Sequence, residues 1–271
     1  MVIIAFAGKG GTGKSTLSAL TVRYFKELNE ITLALDFDPD SHLGRLIGVP
    51  VSGTIGGMVD RMHKEKNAEL EPQKPVDLSD QEYFFSLIAG EVLVEGNNFD
   101  LITLGHPLNE IDCYCPAFIW AEYAVSHLMK GYGTTYQHVV IDCDPGTEIF
   151  PRRILDAVAG TKSIDVLFIV LDGSVMSLDT AFSIAGETRR RNLRVKKISA
   201  IGNRIDDPGL CQVLGETARG RYGLDLAGCI GTDSGIQKIN MLGGSIVQGQ
   251  LCSYMQLAEI LSGILKGMSD Q

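Results

Sequence analysis

The chain has 271 residues, 45% of them apolar and 21% charged, with a formal net charge of −9. That length can bury a large core, the composition excludes a disordered or low-complexity chain, and the acidic excess argues against a nucleic-acid surface. No apolar run is long enough to span a bilayer, and the chain opens directly on a strand-like run with no charged leader, so a cytoplasmic protein without membrane attachment is expected.

Taken from its beginning, the chain places an apolar run over 2–7 before Gly8, Lys9, Gly10, Gly11, Thr12, Gly13, Lys14 and Ser15, and a helix-compatible run starting at Thr16 after them. This is a phosphate-loop pattern in the strand–loop–helix context it requires. Four glycines leave little side-chain bulk, so consecutive backbone N–H groups and the following helix N-terminus can close around phosphate oxygens. Lys14 is expected to neutralise the β- and γ-phosphates, and Ser15 to offer its hydroxyl to magnesium. A nucleoside triphosphate is the expected ligand.

Apolar spacing predicts a helix over 15–28, followed by a strand over 31–35 that runs into Asp36, Phe37, Asp38 and Pro39. Residues 54–98 are the least regular part, with a polar helix possible over 58–68 and prolines at 72 and 75 that cannot continue it. They read as an excursion at the sheet's periphery. Further strands are predicted over 101–104, 139–141, 166–171 and 198–201. Helices are predicted over 117–130, 149–159, 177–191, 209–222 and 255–266. This alternation predicts a doubly wound, mainly parallel α/β sheet, with residues 1–271 forming one domain. A basic cluster, Arg189 to Arg191 with Arg194, Lys196 and Lys197, falls at a helix C-terminus, where cations complement the dipole.

Ligands of such a sheet sit beyond the carboxyl ends of its strands, where Asp36, Asp38, Asp142 and Asp144 fall. Asp142 follows three β-branched apolar residues and suits the carboxylate that supports a magnesium shell. Six cysteines in a chain of this kind are expected to be reduced, buried or metal-bound, with Cys211, Cys229 and Cys252 as isolated core residues. Cys113 and Cys115 differ, standing two apart between Asp112 and Pro116 in a loop before a helix. They supply two of the four thiolates that a tetrahedral, zinc-like site needs. A second copy of the chain across a two-fold axis would supply the rest.

With its second lysine, Lys9, the loop resembles the deviant Walker A loop of the MinD, ParA and nitrogenase-iron-protein ATPases, the SIMIBI type of P-loop fold. The resemblance implies ATP and ADP with Mg2+ as ligands. It also implies a nucleotide-dependent homodimer in which Lys9 reaches the partner's nucleotide. Asp36-Phe37-Asp38-Pro39 resembles the first switch of that class, which gives Asp38 the attacking water. Gly146 resembles the second-switch glycine that bonds the γ-phosphate, and Asn203 the asparagine that contacts adenine. The loop that usually begins Ile-Pro reads Ile230-Gly231-Thr232-Asp233 here. With the cysteine pair added, the chain looks like the CooC family, ATPases that assist nickel insertion into carbon monoxide dehydrogenase or acetyl-CoA synthase. Nickel or zinc at Cys113 and Cys115, and such an enzyme as client, follow from that resemblance alone. A nitrogenase-iron-protein-like electron-transfer ATPase, with Cys143 in its second switch, and a MinD- or ParA-like positioning ATPase are the alternatives.

Overall fold

The computed structural model describes residues 1–66, 85–106, 115–129, 135–150, 155, 158 and 163–269. Eight strands form one sheet: β1 (Val2–Gly8), β2 (Thr32–Asp36), β3 (Val94–Glu95), β4 (Phe99–Thr103), β5 (His138–Asp142), β6 (Ile164–Leu171), β7 (Val195–Asn203) and β8 (Leu226–Ile230). Their order is β3-β4-β2-β5-β1-β6-β7-β8. All pairings are parallel except β3 with β4. From β1 the chain builds outward through β2 and β4 on one side, returns through β5, then crosses to β6, β7 and β8 on the other. The carboxyl end of β1 therefore lies at the switch point, where an open α/β sheet leaves a crevice.

Side chains of β1 alternate between two cores, as the period of an extended strand requires. Ile3, Ala5 and Ala7 enter one apolar cluster, and Ile4 and Phe6 enter the other. On the first face pack α3 (Ile55–Lys66), α4 (Cys115–Met129), α5 (Val175–Arg190) and α6 (Pro208–Tyr222). On the second pack α1 (Lys14–Glu27), α2 (Leu43–Ile47), α7 (Ser234–Leu242) and α8 (Cys252–Ser269). Each fully buried Leu, Ile or Phe contributes roughly 1.5–3 kcal/mol, so this three-layer arrangement is what holds the strand ends in place. Arg23 ties α8 to α1: its guanidinium lies 3.9 Å from the Tyr254 ring centre and hydrogen-bonds Glu27 and the carbonyl of Ile246.

The parallel sheet and the six predicted strands are present. β3, β8, α2 and α7 are additional to the expectation, because β3 and α2 are only 2 and 5 residues long, β8 is only half-buried along most of its length and α7 is short. Of the helix expected over 149–159, the described residues Leu155 and Val158 are helical and buried, while Ile149 and Phe150 lie in a turn, so the helix does not begin at 149. The excursion over 54–98 contributes α3, a π-helical turn at Ile88–Val92 and the antiparallel edge strand β3, while 67–84 lie outside the described residues. Of the basic cluster only Arg189 to Arg191 sit at the end of α5, where Arg190 and Arg191 both pair with Glu187; Lys196 and Lys197 lie in β7, and Lys196 pairs with Asp165.

Candidate functional site

Between β1 and α1, residues 9–13 form a tight loop whose shape depends on two glycines. Gly8 has φ +143°, and a Cβ there would lie 2.6 Å from the carbonyl oxygen of Val170. Gly13 has φ +97°, and its Cβ would lie 2.2 Å from Nδ2 of Asn203. Any other residue would push the loop off β6 or off Asn203. The loop is braced from inside by Thr12, whose hydroxyl donates to the Lys9 carbonyl at 2.9 Å. From outside, Asn203 donates to the Thr12 carbonyl at 2.8 Å and Arg204 to that of Gly11 at 3.2 Å. No side chain caps the start of α1, so its first N–H groups are open to an anion. Lys14 is buried, its ammonium 3.5 Å from the Lys9 carbonyl.

Asp36 and Asp142 stand opposite each other on β2 and β5, both fully buried. One oxygen of Asp36 accepts from the backbone N–H of Leu43 at 2.9 Å and so anchors the start of α2. One oxygen of Asp142 accepts from Ser18 Oγ at 3.3 Å, and the Ser15 hydroxyl favours the charged form of the same carboxylate. The second oxygen of each has no hydrogen-bond partner. Burial pushes Asp142 up to about 7 despite the Ser15 hydroxyl and the Lys14 charge. Burial, then the Asp142 charge, raises Asp36 well above the usual carboxylate range. Asp38 lies at the rim, 9% exposed, with its carboxylate accepting from the N–H of Asp40. An all-oxygen donor set of Ser15 and Asp142, with a buried carboxylate oxygen unsatisfied, fits a hard divalent cation such as Mg2+.

Two features lay outside the sequence expectation. Lys9 does not project away from the chain: its ammonium is 3.4 Å from Asp172, just past the end of β6. Burial opposes ionisation of Asp172, yet hydrogen bonds from Ser174 outweigh it, and with Ser177 and Lys9 they hold the carboxyl well below the usual range. Asp172 follows the apolar run over 166–171, so the rule that singled out Asp142 could have found it. Second, the N–H of Gly146 donates to the Gly8 carbonyl at 2.9 Å, so this glycine bridges to the phosphate loop itself.

Beside the loop, Thr16, Asn203, Arg204, Gly231, Thr232 and Asp233 line a cavity of about 210 Å3. Asp233 on its wall and Asp206 in the neighbouring groove are both committed. Asp206 accepts from the N–H and hydroxyl of Thr232 at 2.6 and 2.8 Å. Asp233 accepts from the N–H groups of Gly235 and Ile236 through one oxygen, and from Ser253 through the other.

The cysteines depart from expectation. Cys211 and Cys229 are not separate reduced core residues: they form a disulfide with Cα atoms 6.0 Å apart, because the turn between α6 and β8 folds back across their separation of 18 residues. Cys252 is exposed at the start of α8. Cys143 is buried, and burial with the neighbouring Asp142 charge raises its thiol far above the usual range, which suits packing rather than a cluster shared with another subunit. Cys113 lies outside the described residues, and Cys115 opens α4 with its side chain outside them. Among the described residues no group of His, Cys, Asp and Glu could hold a metal ion as a ready-made cluster. None of the described helices is long and apolar enough to cross a membrane.

A glycine-built phosphate loop at the switch point of a parallel sheet, with buried acids on the neighbouring strands, defines a P-loop nucleotide-binding protein. The chain belongs to the CobQ/CobB/MinD/ParA nucleotide-binding domain family, whose model matches residues 3–246. It is 29% identical over 242 residues to an uncharacterized ATP-binding protein of Methanocaldococcus jannaschii, covering 89% of each chain. It is 28% identical over 253 residues to the carbon monoxide dehydrogenase accessory protein CooC of Rhodospirillum rubrum, covering 89% of this chain and 87% of that one. Among solved structures, a ParA family ATPase from Chlorobium tepidum matches with TM-score 0.67 at 18% identity, over 96% of this chain and 97% of the other. The septum site-determining protein MinD of Pyrococcus horikoshii, complexed with Mg-ADP, matches with TM-score 0.63 at 18% identity, over 98% of both.

Proposed function

We propose that this chain is an ATP-hydrolysing, nucleotide-dependent dimeric metallochaperone that assists nickel insertion into a carbon monoxide dehydrogenase or acetyl-CoA synthase. The observation that carries the nucleotide part is the phosphate loop facing buried, half-satisfied Asp142. Magnesium, when bound, would draw charge off the β- and γ-phosphate oxygens. In this reading Lys14 and the N–H groups of 10–16 hold the triphosphate, and Ser15 and Asp142 fix the metal's position. Asp38, at the rim, orients the attacking water, while Asp36 only anchors the first switch through Leu43. Gly146 acts by exchanging its bond to the Gly8 carbonyl for one to the γ-phosphate. Lys9 acts in the same manner, leaving Asp172 for the nucleotide of a second subunit. Asn203 positions the base wall while it braces Thr12.

The nickel role is supported by the match to the CooC protein along 89% of this chain together with Cys113 and Cys115, which two subunits would join into one tetrathiolate site. Cys143, the second-switch cysteine on which the electron-transfer alternative depends, is buried within the first apolar cluster, which favours the metallochaperone reading. Metal analysis tests the proposal: about one nickel or zinc ion per two chains is expected in the dimer, and none in the Cys113→Ala, Cys115→Ala variant. Unchanged stoichiometry in that variant would remove the cysteine pair from the site.

A further inference from the structure

The Cys211–Cys229 bridge stands directly behind the wall of the base cavity. Cys211 is in the first turn of α6, and Cys229 is the residue of β8 before Ile230. A Cβ on Gly202 would lie 2.7 Å from the sulfur of Cys229, so the bridge rests against the residue that precedes Asn203. The pairing of β7 with β8 is irregular at this point, with a register shift between Ala200 and Gly202. The bridge thus links the elements carrying both base-side loops, 203–207 and 231–233. Elsewhere those loops are joined by the Asp206 bonds to Thr232. On its other side the bridge is reachable: both cysteines are half-buried and line an open groove of about 760 Å3, with Gln212, Glu216 and Gln256 around it. One face of the disulfide meets solvent, and the other meets the backbone that positions Asn203.

We infer that Cys211–Cys229 is a thiol–disulfide exchange site whose substrate is a dithiol reductant, and that its state sets the affinity for nucleotide. A thiolate of the reductant enters through the groove and attacks one sulfur. The S–S bond breaks, a mixed disulfide forms, and the other cysteine leaves as a thiolate that takes a proton. The reductant's second thiolate then attacks the reductant's own sulfur in the mixed disulfide, closing the oxidised reductant and releasing the remaining protein cysteine as a thiolate that takes a proton. Two cysteine thiols and the oxidised reductant result, with two electrons and two protons transferred. With the bridge closed, the loops bearing Asn203 and Thr232 are held in register and nucleotide binds tightly. With it open, α6 and β8 move apart more easily and a smaller share of molecules is ready to bind.

This inference rests on nucleotide binding at the phosphate loop and not on the metal role. The test is titration of the full chain with ADP by calorimetry, before and after dithiothreitol, with the bridge followed by peptide mapping. Reduction is expected to weaken Kd about tenfold, as when the competent fraction falls to about one-tenth, and reoxidation to restore it. The Cys211→Ser, Cys229→Ser variant, which keeps Cys113 and Cys115, is expected to bind like the reduced protein and to ignore the reductant. A Kd unchanged within about twofold in wild-type protein mapped as fully reduced overturns the inference, and needs no variant to fold. So does a bridge that dithiothreitol leaves intact, or a response that survives in the variant. ADP binding in neither state would remove the nucleotide reading as well, whereas equal binding in both removes only this one.

Discussion

Beside the phosphate loop, Asp36 and Asp142 are buried with one oxygen each lacking a hydrogen-bond partner, whereas at the proposed base end Asp206 spends both oxygens on Thr232 and Asp233 spends both on the starts of α7 and α8. Leaving a buried acceptor unsatisfied costs about 1–3 kcal/mol, so the phosphate end carries an expense that the base end avoids. The difference separates two tasks. On the proposed reading Asp142 is held ready for a ligand and unfulfilled, while Asp206 and Asp233 are tied down beforehand. The raised Asp142 is the electrostatic mark of the first kind. The lowered Asp233, where burial is outweighed by the bonds from Ser253, Ile236 and Gly235, marks the second.

The comparison breaks most visibly at Lys14. Lys14→Ala is expected to lower ATP hydrolysis by about 10³-fold with the circular dichroism spectrum unchanged, and wild-type turnover in that variant would take the phosphate role away from the loop. Asp142→Asn is expected to lower hydrolysis by about 10²-fold, yet to leave the nucleotide-free protein no less stable, because it removes a carboxylate whose burial is unfavourable. The sign follows from the raised folded value. Asp142 favours the folded state below its ordinary value of 3.8, and that contribution is lost as the pH rises through about 7. Urea midpoints at about pH 5 and about pH 8 should therefore differ in wild type and differ less in Asp142→Asn; equal slopes would contradict the assignment.

At the base end the expectation reverses. Asp233→Ala strips the cap from α7 and the bonds to Ser253, so it should cost about 2–3 kcal/mol of stability without any nucleotide present, measured as a denaturant midpoint. A stability loss appearing only with ADP bound would place Asp233 among the ligand groups instead. The smallest effect is expected at Asp172, in the part-exposed Lys9–Asp172 pair. Asp172→Asn should favour ATP-dependent dimerisation by about threefold, since a pair of this exposure is worth little, while Lys9→Ala should abolish it. Size exclusion with ATP reads both, and an unaltered dimer in Lys9→Ala would remove the exchange of partners.

Legibility followed the kind of interaction involved. The strands of the central sheet are buried on both faces, so they stand out as apolar, β-branched runs, and the acids that follow them mark the ligand end. β8 escaped because an edge strand covered only in part carries no such run. Lys9 was legible as an extra lysine, but its bond to Asp172 joins residues 163 positions apart. Asp36 and Asp142 read alike as loop acids and are equally buried, and only their partners, the Leu43 N–H for one and Ser18 for the other, separate anchor from candidate ligand. The disulfide was misread because two cysteines set singly in apolar surroundings look like core residues whichever way the chain returns.

What the amino-acid sequence determined by itself was the local chemistry: a glycine loop between strand and helix, a doubled lysine, acids at strand ends and two neighbouring cysteines. Those signals survive in one dimension because each depends on residues a few positions apart and on backbone rules that act over the same range. The tertiary structure alone decided which buried oxygens go unsatisfied, where Lys9 rests and that Cys211 meets Cys229 behind Asn203. Burial and long-range pairing depend on how the sheet brings distant segments together, and no spacing along the chain encodes that distance.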